Sequence, residues 1–193
     1  MIHKKMKQIF IIEHLEPRVW NWCKIEYKSI SDIVGKENLW FTNIKRKNKY
    51  LEGLGKVFKQ SVRELGLKEA CVLDPEAKEM LTPKDSEKFK YFIFGGILGD
   101  YPPKKRTKKE LTQFLNFETR HIGKKQFPTD NAVLVVKKIS QGRRFEDMEF
   151  KENLNIPVNE FLSVDLPFLY VVEDGKPFIR PAIVNYLKKK KGF

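Results

Sequence analysis

The sequence predicts an α/β protein with a parallel sheet, and two recurring patterns support that prediction. Short runs of apolar, β-branched and aromatic residues, typical of buried strands, recur through the first 140 residues. Between them lie segments whose apolar residues recur at helical spacing. Strands that alternate with helices in this way form parallel sheets with crossover connections.

The first part of the chain is predicted to contain two long helices and four strands. Apolar residues at helical spacing predict helices over 17–34 and 50–65, each followed by a glycine that can end it, Gly35 and Gly66. A short helical turn is expected near Thr82. The predicted strands cover 8–12, 39–42, 70–73 and 91–94.

Beyond the fourth strand the pattern predicts a basic helix over 107–115 and a short strand over 119–122. Thr129 is suited to cap a helix that runs to about Ser140. Asp130 is then well placed against the positive end of the helix dipole.

From about Arg143 prolines interrupt short segments, which indicates a change of architecture. Asp174-Gly175 suits the turn of a hairpin between 168–172 and 177–180, and a last helix is predicted over 182–190. We therefore expect a main domain over residues 1–142 and an appended β and α piece over 143–193.

Composition restricts the class of protein. Of the 193 residues, 41% are hydrophobic and 33% are charged, a balance typical of a soluble globular domain. The longest apolar runs, such as 9–12 and 133–136, are far shorter than the roughly 20 residues of a membrane-spanning helix. The N-terminal run is too short for a signal peptide, so we expect a cytoplasmic protein with no membrane partner.

The cysteines and histidines do not have the spacing of a metal site. Cys23 and Cys71 lie in separate predicted elements, and the three histidines are scattered along the chain. We therefore predict buried free thiols and no bound metal.

Positive charge is concentrated in one segment. The chain carries 38 Lys and Arg against 25 Asp and Glu, a net charge of +13. Residues 101–125 contribute much of the excess, and lysines 188–191 add to it. Clustered positive charge attracts polyanions, which predicts proximity to nucleic acid or the ribosome; a solvated lysine-rich face is the alternative.

A glycine-rich segment follows the fourth strand, in the stretch "YFIFGGILGDYPPKKRT". Gly95, Gly96 and Gly99 leave the backbone open to a ligand and permit positive φ angles. Ligands of parallel α/β sheets bind beyond the carboxyl ends of strands, where loops 73–76 and 121–130 are also expected. The spacing lacks the glycine signatures of phosphate binding. The residues alone leave both a ligand site and an ordinary turn open.

Several stretches together resemble a known methyltransferase family. The chain resembles the SPOUT superfamily and, within it, the branch of arginine methyltransferases that act on a small-subunit ribosomal protein, the SFM1-like family. The resemblance runs from residue 9 to about 190, with a more distant likeness to tRNA purine-N1 methyltransferases. The stretches are "IIEHLEP" (11–17), "VLDPEA" (72–77), the glycine-rich stretch (91–107) and "PTDNA" (128–132).

That resemblance implies a deep trefoil knot around residues 90–140, with S-adenosylmethionine bound in a bent shape between the knot loops. It also implies a monomer whose appendage fills space comparable to that of a second protomer; a homodimer is the alternative. By position, the cofactor pocket is assigned to Leu73, Phe94, Gly95, Gly96, Ile97, Leu98, Gly99, Ile122, Gly123, Gln126, Phe127, Thr129 and Ala132.

Candidate catalytic residues follow from the implied chemistry. A guanidinium gives up a proton with difficulty, so a carboxylate beside it has to orient one nitrogen and accept that proton. Asp100 is the first candidate because it leaves the glycine loop toward the cofactor, and Glu13 at the end of the first strand is the second. His14 is the third. Alternative roles are a loop cap for Asp100 and stabilisation of a helix N-terminus for Glu13.

The expected substrate is an arginine of a ribosomal protein, and the competing substrate is tRNA or rRNA. The run "PPKKRTKKE" is nearly all basic where the family carries an acidic residue, which favours RNA. A cofactor-binding regulator without catalysis is a third possibility. Substrate contacts are expected from Tyr101, Lys104, Lys105, Arg106 and Arg120.

Overall fold

A parallel sheet forms the centre of the fold. The computed structural model describes residues 7–99, 102 and 104–190. The strands of the sheet are β1 (Ile9–His14), β2 (Leu39–Thr42), β3 (Lys56–Val57), β4 (Ala70–Leu73), β5 (Tyr91–Gly96) and β6 (Glu118–Arg120). Their order is β3-β2-β1-β5-β4-β6, and each neighbouring pair runs parallel. The predicted α/β fold with a parallel sheet is confirmed.

The central strands are apolar, apart from Glu13 and His14 at the end of β1, because both faces of the sheet are covered. Phe10 and Ile12 belong to one buried cluster, whereas Ile9 and Ile11 face a second cluster that includes Leu111. The helices are α1 (Asn21–Val34), α2 (Lys49–Glu52), α3 (Asp85–Lys88), α4 (Arg106–Glu110), α5 (Thr129–Ser140) and α6 (Pro181–Lys190). None of the helices in the described residues combines the length and apolar character needed to cross a bilayer.

The C-terminal part forms a small antiparallel sheet that packs on α1 and α5. Its strands, in sheet order, are β7 (Phe150–Pro157), β8 (Ser163–Glu173) and β9 (Lys176–Pro177). Sequence patterns did not predict β7. The Val171 amide donates to Asn131 Oδ1 (2.9 Å), and Asn131 Nδ2 donates to the Phe178 carbonyl (3.1 Å). Leu187 of α6 packs in one cluster with Trp22 of α1.

Three predicted helices are wrong in extent, and the first of them begins at Asn21 rather than at Pro17. The predicted helix 50–65 is replaced by α2, β3 and a 3-10 turn, because Gly55 brings the chain against β2. A Cβ at Gly55 would lie 2.5 Å from the Leu39 carbonyl oxygen. The predicted basic helix over 107–115 ends at Glu110 and continues as a 3-10 turn.

Candidate functional site

A cavity of about 210 Å³ lies beyond the carboxyl ends of β4, β5 and β6, and we call it the strand-end cavity. Every residue that the resemblance assigned to the cofactor lines it, apart from Gly96 and Gly99. The cofactor assignment left out several lining residues of the expected ligand loops and of α4: Asp74, Pro75, Glu76, Thr107, Lys124 and Lys125. The parallel sheet brings these loops together because adjacent parallel strands end at the same edge.

The glycines of the loop have three different surroundings. Gly95 lines the strand-end cavity, and a Cβ there would stand 3.0 Å from Ile97 Cδ1, a movable side-chain end. At Gly96 a Cβ would lie 2.5 Å from Tyr27 Oη, so this glycine packs against α1 rather than lining the cavity. A Cβ at Gly99 would meet Phe168 of β8 at 2.5 Å.

The three loop glycines do not use the positive φ that glycine permits. Among the described residues, positive φ angles occur at other glycines, and Gly95, Gly96 and Gly99 do not have them. These three positions favour glycine because a Cβ there would come close to a neighbouring side chain. Gly123 is the lining glycine with a left-handed backbone, at φ +87°.

Ion pairs fix the wall on the side of α4. Glu16 Oε1 accepts from the Leu98 amide (3.0 Å) and from Arg106 Nη1 (2.8 Å). Arg106 also donates to Glu110 (2.6 Å), and Lys105 pairs with Glu76 (2.8 Å). Lys104, Lys105 and Arg106, which were predicted to contact the substrate, line this cavity, and Lys105 and Arg106 form ion pairs with carboxylates there.

Glu13 has a structural environment that does not suit the role of a base. Its carboxylate is buried and accepts from the Ser61 hydroxyl (2.5 Å), the Thr42 hydroxyl (2.5 Å) and the Val62 amide (2.9 Å). It ties β1 to β2 and to the turn after β3, and it does not line the strand-end cavity.

His14 is also buried. Its Nδ1 lies 2.8 Å from Tyr27 Oη, its Nε2 has no hydrogen-bond partner among the described residues, and burial lowers its pKa. Neither ring nitrogen lines the strand-end cavity.

Arg120, which was predicted to contact the substrate, does not line the strand-end cavity. Its guanidinium is almost buried and pairs with Glu118 (3.0 Å), Asp85 (3.1 Å) and Glu79 (3.2 Å). Asp100 and Tyr101 lie outside the residues that the structure describes.

A second cavity of about 360 Å³, the aromatic cavity, adjoins the first. It lies where α1, the glycine loop, the start of α5 and the appendage meet. Its principal side chains are Trp20, Trp22, Glu26, Phe168, Tyr170 and Tyr186. Ile97, Leu98, Phe127 and Thr129 line both cavities.

Glu26 is the acidic group of the aromatic cavity, whose lining also includes Lys190, and sequence reasoning missed it. Trp22 Nε1 donates to its Oε1 (3.0 Å), and Thr129 provides a second hydrogen bond. Burial, and secondarily the negative charge of Asp130, raise the pKa of this carboxyl well above its ordinary value. An acidic residue on the apolar stripe of α1, in helical register with Trp22 and Ile30, was the signal available in the sequence.

Comparison with known proteins identifies the family. Residues 9–192 match the family model described as protein arginine N-methyltransferase SFM1-like. The chain is 34% identical to protein arginine N-methyltransferase SFM1 of Saccharomyces cerevisiae over 201 residues, which covers 93% of this chain and 94% of the yeast protein.

Solved structures of yeast SFM1 also match most of this chain. The yeast SFM1 structure complexed with SAM has a TM-score of 0.87 at 33% identity, covering 96% of this chain and 92% of that one. The complex with SAH gives 0.85 at 32% identity, covering 93% and 94%. Dual-specific Trm10 of Thermococcus kodakaraensis, 20% identical, shares the fold with a TM-score of 0.57, covering 72% of this chain and 96% of that one. The chain belongs to the SFM1-like family of protein arginine N-methyltransferases.

Proposed function

We propose that this chain is a cytoplasmic enzyme that uses S-adenosylmethionine to methylate an arginine of a small-subunit ribosomal protein. Family membership supports arginine methylation, and the yeast structures with SAM and SAH, which match nearly the whole chain, support the cofactor. The observation that carries the proposal is the strand-end cavity, where the loops after β4, β5 and β6 converge.

The residues around the strand-end cavity suit this cofactor. Leu73, Ile122 and Phe127 offer apolar surface for an adenine ring. At Gly95 the wall is bare backbone, since a Cβ would press on Ile97 at 3.0 Å. Carboxylates in the lining, Asp74 and the Lys105-paired Glu76, suit ribose hydroxyls.

The chain's own residues have to orient the acceptor nitrogen and accept one proton from it. When bound, S-adenosylmethionine supplies a methyl group on a positively charged sulfur. The acceptor nitrogen exchanges one proton for that methyl group, so a nearby base has to accept the proton. We propose Asp100 as this base, because it follows Gly99, which lines the aromatic cavity. The link from Leu98 through Glu16 to Arg106 stabilises the wall of the strand-end cavity.

Transfer of tritium from labelled S-adenosylmethionine tests the substrate class. Given separated ribosomal proteins and RNA, the enzyme is expected to label the protein fraction, with label that resists RNase and is lost on protease treatment. RNA is the second candidate, because Lys104 and Lys105 at the cavity attract phosphates. Label that RNase removes would contradict methylation of a ribosomal protein and establish RNA as the substrate.

Asp100→Asn is expected to bind the cofactor normally and to lose about 10²- to 10⁴-fold in turnover, the usual contribution of a general base. Calorimetry with S-adenosylhomocysteine measures the binding, and initial rates of tritium transfer measure the turnover. Asp174→Asn, in the exposed hairpin turn, is the matched control. Wild-type turnover in Asp100→Asn would exclude Asp100 as the base.

We also propose that residues 90–140 form the trefoil knot and that the appendage over 143–193 completes a monomeric enzyme. The order of strands supports the knot, because β4 lies between β5 and β6 and α5 then packs back against β5. The packing of α6 on Trp22 and Ile25 of α1 supports the monomer, since these apolar side chains are covered within one chain.

A further inference from the structure

We propose that the loop between β2 and α2 is a docking surface for the phosphate backbone of RNA, and we call residues 43–49 the basic loop. Its sequence, "NIKRKNK", contains Lys45, Arg46, Lys47 and Lys49 and no acidic residue. All four of these side chains are exposed. The inference goes beyond the proposed function, because it adds a binding partner and does not depend on which group accepts the methyl group.

The cations of the basic loop are available to a ligand. In the part of the chain that the structure describes, none of the four forms an ion pair with a carboxylate, and Lys45 Nζ donates to the Lys59 carbonyl (3.4 Å). Cations that neutralise the phosphates of a nucleic acid release its counterions, and this release drives binding. The basic loop therefore offers RNA four charges that no acidic side chain of the described residues neutralises.

The basic segment over residues 101–125 is less available, although its charge predicted proximity to nucleic acid. Several of its cations are in ion pairs with carboxylates: Lys105, Arg106, Arg120 and Lys125. Lys124 donates to the carbonyls of Pro75 (3.2 Å) and Ala77 (2.8 Å). The difference in pairing favours the basic loop as the place where RNA docks.

The basic loop is anchored at both ends, so its cations extend from a fixed backbone. Asn43, at φ +63°, turns the chain after β2. Its Nδ2 donates to the His14 carbonyl (2.7 Å) and its amide donates to the Gln60 carbonyl (2.7 Å). At the other end Asn48 Oδ1 accepts from the Leu51 amide (3.2 Å). A backbone that is fixed before binding loses less conformational entropy when a ligand docks.

Exposed aromatic rings continue this surface from the basic loop to the rim of the aromatic cavity. Tyr50 directly follows the loop, is 43% exposed, and donates its hydroxyl proton to the Lys24 carbonyl (3.1 Å). The Lys24 amide donates to the Trp20 carbonyl (3.0 Å), and Arg18 stacks on the exposed Trp20 ring, 3.6 Å from its centroid. Cations beside exposed rings suit a single strand of RNA, whose phosphates contact the cations while its bases stack on the rings.

Fluorescence anisotropy with a labelled RNA of about 20 uridines, an unstructured strand longer than one such site, tests the proposal. The loop variant carries Lys45→Gln, Arg46→Gln, Lys47→Gln and Lys49→Gln. At about 0.1 M salt we expect it to bind the RNA at least tenfold more weakly than the wild type. The slope of log affinity against log salt should also become smaller by about 2–3, since each phosphate contact to a single strand contributes about 0.7.

The matched control removes the same number of charges from dispersed exposed lysines, in the variant Lys78→Gln, Lys84→Gln, Lys151→Gln and Lys176→Gln. We expect it to keep its affinity within about twofold and to keep its salt slope, since charges outside the contact are screened at this salt. Unchanged affinity and slope in the loop variant, or an equal loss in the control, would overturn the proposal.

Thermal melting shows whether the loop variant keeps its fold. If it does not, the double variant Arg46→Gln and Lys47→Gln decides, because it leaves the contact of Lys45 and the start of α2 intact. We expect its salt slope to fall by about half as much as that of the loop variant. An unchanged slope in the double variant would overturn the proposal.

Tyr50→Ala tests the stacking of bases separately from charge. We expect this variant to bind the RNA about five- to hundredfold more weakly with an unchanged salt slope, whereas Tyr50→Phe, which keeps the ring, stays near the wild type. Wild-type affinity in Tyr50→Ala would overturn the role of the ring. A glutamate polymer with the same number of charges is titrated in parallel. If it binds as tightly as RNA and responds equally to the loop variant, the surface belongs to an acidic protein instead.

RNA binding and methylation can fail independently, and the tritium assay on the same preparations separates them. Labelled ribosomal protein together with no binding of RNA would overturn the docking surface and leave the proposed function standing. RNase-sensitive label would overturn the proposed acceptor, while loss of RNA binding in the loop variant would still support the docking surface.

Discussion

Replacing Gly95 by valine is expected to weaken S-adenosylhomocysteine binding about ten- to hundredfold while the chain still folds. The branched side chain would extend from the wall of the strand-end cavity, and overfilling a packed site costs about 1–3 kcal/mol. The fold should tolerate the change, since the nearest contact of the new Cβ is Ile97 Cδ1 at 3.0 Å, which can move. Calorimetry measures the affinity, and thermal melting without ligand measures the stability.

Gly96→Val provides the contrast one residue away. A Cβ at this position would lie 2.5 Å from Tyr27 Oη and 2.8 Å from Ile12 Cγ2, inside the packed core. We expect the free energy of unfolding of this variant to fall by about 1–3 kcal/mol or more. This loss of stability would mask any local effect on ligand binding. A stable Gly95→Val protein with wild-type affinity would show that the cofactor does not contact this wall.

Replacing Glu13 by alanine is expected to destabilise the fold by about 3 kcal/mol or more, since buried donors lose a charged acceptor. The affected groups are the Ser61 and Thr42 hydroxyls and the Val62 amide. For a chain of this size the melting temperature should fall by about 6–12 °C. Differential scanning calorimetry on the ligand-free protein measures the change.

Two further variants separate a structural from a catalytic role for Glu13. Glu64→Ala removes an exposed carboxylate near the same turn and should change stability by less than about 0.5 kcal/mol. Glu13→Gln keeps an acceptor oxygen and is expected to retain most of its turnover once it is folded. A fully stable Glu13→Gln enzyme without turnover would contradict the structural role and restore Glu13 as a candidate base.

The sheet was predictable from sequence because its strands are buried on both faces. Alternate residues of β1 from Ile9 to Ile12 enter different clusters, so this part of the strand is continuously apolar and easily recognised. The segment over 50–65 was mispredicted because its apolar residues recur at helical spacing although they face different partners. Close contact of Gly55 with Leu39 overrides that pattern, and only the folded chain reveals it.

The strand-end cavity was largely predictable, since the resemblance placed the cofactor in loops at the ends of β4, β5 and β6, which are neighbours in the sheet. The individual errors have a common physical cause, which is contact between residues distant in sequence. Gly96 meets Tyr27, and Arg120 pairs with Asp85. Glu26 was missed because a single acidic residue on an apolar helix face does not reveal the aromatic side chains that the appendage brings to it.

A crystal structure of the protein with S-adenosylhomocysteine tests the central claim most directly. The account predicts the nucleoside in the strand-end cavity, against the backbone of Gly95 and between Leu73 and Ile122. It also predicts that the sulfur faces the wall shared with the aromatic cavity, on the side of Thr129. A nucleoside bound elsewhere, or a sulfur directed away from that wall, would contradict the account.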